Sequence, residues 1–104
     1  MFAFKPDYEQ SKQRIDAFWE RALIDRPVVQ FGLAKPPEQQ VPLPSVHHAT
    51  PAERWLDADY QAERHLAALS NRVFLGDTMP VAWPNLGPEV FSAFYGCPMH
   101  FGDY

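Results

Sequence analysis

Eleven prolines spread over 104 residues set the strongest limit on what this chain can become. Proline has no backbone N–H to donate, and its ring holds φ near −65°. Each one therefore bars the interior of a helix and the middle of a sheet. Pro80, Pro84 and Pro88 fall four apart inside the most apolar stretch, "LGDTMPVAWPNLGPEVFSAFYGCP" (75–98). That spacing excludes one long helix or strand. The prolines read as punctuation: Pro80 near the start of a strand over 78–83, Pro84 at its end, and Pro88 at the first position of a helix "PEVFSAFY" closed by Gly96. Pro36, Pro37, Pro42 and Pro44 make 34–49 a long extended loop.

Between the prolines the periodicity is clear. Asp7 precedes Gln10 by three, a capping-box pattern, and Ile15, Phe18, Trp19, Ala22 and Leu23 then recur at helical spacing. Asp25-Arg26-Pro27 is the expected end of that helix. "VVQFGL" (28–33) is apolar almost throughout, as in a strand covered on both faces. Thr50, Pro51 and Glu53 form a second helix start, and Asp57 can cap a further segment. Ala58, Ala62, His65, Leu66, Leu69 and Val73 line one face of it, and Gly76 is placed to end it in the left-handed conformation.

The order helix, strand, loop, helix, strand, helix is an α/β layout. A single crossover between 28–33 and 78–83 predicts a parallel pair with an open edge on each side. Two-stranded sheets are marginal by themselves, so the chain is expected to be a segment of a larger protein.

Composition removes several function classes. The net charge is −4 and no Lys/Arg run occurs, which leaves no footprint for nucleic acid. No apolar run reaches the ~20 residues of a membrane span, and "MFAFKPDYEQ" lacks the pattern of a signal peptide. The single Cys97 forms no internal disulfide, which fits a reducing, cytoplasmic setting.

Three stretches, "RIDAFWERALIDRPVV", "WLDADYQAERHLA" and "GDTMPVAWPNLGPEVFSAFYGCPMHFG", resemble the N-terminal region of the uroporphyrinogen decarboxylase-like superfamily. The run "NLGP" and the following "YGCPMHF" carry the likeness most specifically. The resemblance spans nearly all of residues 1–104 but about a third of a member of that family. It implies a partial (β/α)8 barrel: an N-terminal helix plus the first one or two βα units of a fold that needs ~250 residues. It implies decarboxylation or methyl transfer on a small-molecule substrate by the full-length parent, this segment being inactive by itself. It also implies that zinc or a corrinoid, where used, is held outside this segment. Two departures stand out. No arginine lies in Phe31–Pro36, where the decarboxylase carries a carboxylate-gripping motif, and Asn85 stands near the place of its aspartate. An amide cannot carry the negative charge that stabilises a cationic pyrrole intermediate.

Asn85, Gly87 and Trp83 are the expected substrate-binding residues, because a barrel places functional groups where strands end. Asn85 serves equally well as a tight-turn residue, Gly87 as the residue that permits the turn, and Trp83 as core. No catalytic residue is assigned. His47-His48 point in divergent directions, and Cys97 with His100 is one pair, so no metal site is expected. Cys97 reads as a small buried apolar residue, His65 as a core or boundary histidine, and Asp77 as a turn or cap residue. Glu53, Asp57, Asp59 and Glu63, with Arg54 and Arg64, read as caps and a solvated face. An alternative function is a small interaction module that uses loop 34–49 and exposed strand edges. A fragment is expected to be loosely packed and to self-associate through exposed apolar surface, whereas a complete module is expected to bury its own edges and unfold cooperatively.

Overall fold

The computed structural model describes residues 2–83, 85 and 90–102. Helix α1 spans Tyr8–Trp19, strand β1 Gln30–Ala34, helix α2 Pro51–Leu56, helix α3 Ala58–Ser70, strand β2 Arg72–Gly76 and helix α4 Val90–Phe94. The chain is a mixture of helix and strand, as expected. None of its described helices is long and apolar enough to cross a membrane.

The sheet corrects the expected topology. β1 and β2 pair antiparallel, with Phe31 opposite Leu75 and Leu33 opposite Val73, so the expected βα units of a parallel (β/α)8 barrel are not evident among the described residues. The second strand is 72–76, not 78–83, and residues 78–83 join no ladder. The helical spacing of Leu66, Leu69 and Val73 hides the change of period at Asn71. There the helix stops: Asn71 N–H bonds Ala67 and its side-chain amide makes two bonds to the Val41 backbone, at 2.7 and 2.9 Å. Lys35 N–H also donates to Asn71 O at 2.8 Å, so Asn71 fastens both ends of the 35–41 segment to the α3–β2 corner. Much of the proline-rich loop is thereby built in, with a 3₁₀ turn at Pro37–Gln39.

Helix caps follow the sequence closely in the middle of the chain. Thr50 Oγ1 accepts from Glu53 N–H at 3.2 Å, and the Glu53 carboxylate reaches back to Ala49 N–H at 2.8 Å. Asp57 Oδ1 accepts from Tyr60 N–H at 3.0 Å and opens α3. At α1 the expectation fails, because Asp7 makes no cap bond and turns to Lys5 instead. The helix also ends at Trp19, six residues before Asp25. Arg21 adopts φ 57°, Ala22 N–H bonds Ala17 O at 2.8 Å and Arg21 N–H bonds Phe18 O at 3.0 Å. This is a Schellman stop with arginine where glycine is usual. The same pair of bonds, with Gly96 at φ 83°, closes α4. Pro88 and Glu89, expected to open that helix, lie outside the described residues.

Packing is inverted relative to the apolar pattern. α1 docks through its polar side: Ser11 is fully buried with Oγ 3.3 Å from Gly76 O, whereas Phe18, Trp19 and Leu23 stay exposed. Phe31, Leu33 and Val73, which share one face of the sheet with Leu75, are each 40% exposed or more. Val90 is the single buried apolar side chain among the described residues. The accessible surface is 8213 Å², against about 6,000 Å² for a compact protein of this mass. The radius of gyration is 17.7 Å, against about 13 Å. The apolar residues that should make a core face outward.

Candidate functional site

The best-ordered cluster of charge is at the end of β2. Gly76 turns with φ 60°, and a Cβ there would lie 2.3 Å from Val29 O, so only glycine fits. The turn sends Asp77 N–H to Val29 O at 2.6 Å and buries the Asp77 side chain completely. Arg26 grips that carboxylate through both terminal nitrogens, at 2.6 and 3.0 Å. Arg14 Nη1 adds a contact at 3.2 Å and Val29 N–H one at 3.1 Å. Lys5 Nζ, 1% exposed, donates to Gly76 O at 2.5 Å. Burial by itself would raise the Asp77 pKa. The Arg26 fork, Val29 N–H and Arg14 outweigh it and hold the carboxyl at about 2. Arg14 also holds Asp25, with bonds of 2.8 and 2.7 Å, and lowers its pKa to about 2. This knot ties the N-terminal segment, the 25–29 turn and β2 together. Every oxygen of Asp77 is taken up by protein, so its work is structural, and larger than the turn or cap role read from sequence.

The expected substrate-binding residues separate. Asn85 lines a cleft of about 400 Å³ with Trp55, Leu56, Gln61, His65 and Phe94. The walls are largely apolar, with four side chains that can hydrogen-bond among them (Trp55, Gln61, His65 and Asn85), a composition suited to a small organic ligand. His65 is therefore a cleft residue, where the sequence placed it in or beside a core. Trp83 does not line this cleft. It is exposed and borders a smaller one, about 160 Å³, with Val90, Phe91 and Phe94. Gly87 lies outside the described residues. Cys97 is exposed, contrary to its reading as buried.

A third cluster was not foreseen. His48 Nε2 lies 3.0 Å from Asp57 Oδ2, and the imidazole meets the Tyr60 ring edge-on at a centroid distance of 4.7 Å. The Tyr60 N–H, and then His48, lower the Asp57 pKa. Asp57 was legible as a cap, but nothing in local spacing marks a residue nine positions earlier as its second partner. No group of three metal-ligating side chains occurs among the described residues, so they do not fit a bound zinc.

Compared with known proteins, the chain matches no family, no curated protein and no solved structure.

Proposed function

We propose that this chain is the N-terminal part of a larger enzyme of the uroporphyrinogen decarboxylase-like class. The parent would decarboxylate, or transfer a methyl group to or from, a small organic substrate. The observation that carries the proposal is the uncovered apolar surface. About 2,000 Å² more is accessible than a compact chain of this mass shows, as much as a whole stable interface buries. The faces that carry it, Phe18 and Trp19 on α1, Phe31, Leu33 and Val73 on the sheet, and Phe91 and Phe94 on α4, are where further elements of the parent would pack. Asn85 and His65 would then contribute one wall of the substrate pocket, and any zinc or corrinoid would be held by later segments. An independent module built on loop 34–49 gains less support, because Asn71 already fastens the front of that loop.

Two measurements test this. Sedimentation equilibrium of the isolated chain is expected to show association that weakens in a Leu33→Thr/Val73→Thr variant. A monomer at all concentrations that unfolds sharply in urea would sink the reading. The longest protein that contains this chain is expected to release CO₂ from uroporphyrinogen III or to consume methylcobalamin in the presence of a thiol. Inertness in both assays would remove the enzyme class.

A further inference from the structure

The end of the proline-rich loop folds back on the α2–α3 corner and builds a polar cleft there. His48 anchors it. Its side chain is 9% exposed, held at Nε2 by Asp57 and in T-shaped contact with the Tyr60 ring. A space of about 440 Å³ opens beside it, lined by His47, His48, Thr50, Arg54, Trp55 and Tyr60, with apolar walls from Val46, Ala49 and Pro51.

The charge of this lining is one-sided. It includes a guanidinium and two imidazoles but no carboxylate, in a chain whose net charge is −4. The nearest acids, Glu53 and Asp57, line the adjoining cleft and are already engaged. Glu53 accepts from Ala49 N–H, and Asp57 accepts from Tyr60 N–H and holds His48. Arg54 forms no ion pair among the described residues, although Asp7, Asp16, Asp25, Asp57 and Asp77 all do. Arg54, Trp55 and Tyr60 line the same space, which brings a bidentate donor for a carboxylate and two aromatic side chains to one cleft.

We infer that this cleft binds a small aromatic carboxylate, with the carboxylate on the Arg54 guanidinium and the ring against Trp55 and Tyr60. The Asp57-held His48 closes the polar end and keeps the loop in place. The volume holds one or two fused rings and is too small for a tetrapyrrole. The site adjoins the Asn85 cleft, sharing only Trp55 with it, and does not depend on the enzyme class proposed above.

The test is an NMR titration of the 104-residue chain with sodium benzoate, against sodium chloride at equal ionic strength and against inorganic phosphate. Saturable shifts confined to Trp55, Tyr60 and His48 are expected, with a Kd on the order of 1 mM for one ion pair and one stacked ring. Arg54→Ala should weaken binding about tenfold, the loss of one charge-assisted contact worth about 1.4 kcal/mol. Arg54→Lys, which keeps the charge without the fork, should fall between. Arg64→Ala removes the same charge from α3 outside the cleft and should leave the Kd unchanged. Shifts that chloride reproduces, saturation by phosphate in place of benzoate, or equal weakening by the Arg54 and Arg64 substitutions would each overturn the inference.

Discussion

Asp77→Asn is the substitution whose consequence follows most directly from the structure. It keeps the shape of the side chain and removes the charge that two arginines share. The carboxyl sits at about 2 in the folded chain and at 3.8 as an unperturbed aspartate. The folded pKa is depressed, so between these values the unfolded chain binds more protons. The stabilisation is fully present above about pH 4–5, falls as pH drops through 4 and 3, and is gone below about 2. A shift of nearly two units corresponds to about 2 kcal/mol at neutral pH. Breaking a buried pair by removing one partner costs about 3–5 kcal/mol, and the partial exposure of Arg26 places this case at the lower end. Urea unfolding from pH 2 to 7 is the assay. With m near ~1 kcal/mol/M, the variant's midpoint should lie about 2–3 M lower at pH 7 and approach the wild type near pH 2. Parallel curves, offset equally at every pH, would refute the electrostatic account and leave only a packing effect.

Two further outcomes follow from backbone geometry. Arg21→Gly should raise stability by about 0.5–1 kcal/mol, seen as a higher urea midpoint, because Arg21 holds φ 57° where a Cβ is disfavoured. A lower midpoint would mean that the arginine side chain matters more than its backbone strain. Gly76→Ala should cost about 3 kcal/mol or more, since the new Cβ would meet Val29 O at 2.3 Å at a position that already holds φ 60°. Hydrogen exchange at Asp77 N–H should then quicken by at least ~100-fold, and unchanged protection would contradict the geometry.

Local chemistry was readable from the chain wherever it is settled within about five residues. Thr50, Pro51 and Glu53 open α2, Asp57 opens α3 and Gly96 closes α4, because capping needs only a side chain and the N–H or C=O beside it. The α/β character followed from the alternation of periods. The loop at 34–49 followed from its prolines, though not its fastening by Asn71. Of the candidate site residues, Asn85 lies on a cleft and Trp83 on another. His65, read as a core or boundary residue, shares the Asn85 cleft.

What only the tertiary structure decided is everything that rests on distant partners. The strand at 72–76 continues the helical spacing of α3, and its pairing with β1 across more than forty residues alone shows that it is extended. Asp77 becomes the hub because Arg14 and Arg26, 63 and 51 residues away, converge on it, and His48 meets Asp57 because the loop folds back. α1 illustrates the difference best. Its sequence determines an amphipathic helix, but which side docks is a competition between burying Phe18 and Trp19 and satisfying Asp77 and the Gly76 carbonyl. An unpaired buried carboxylate costs several kcal/mol, whereas apolar side chains gain only when a second apolar surface lies opposite. Among the described residues no such surface does, so the polar side docks and the apolar side remains open.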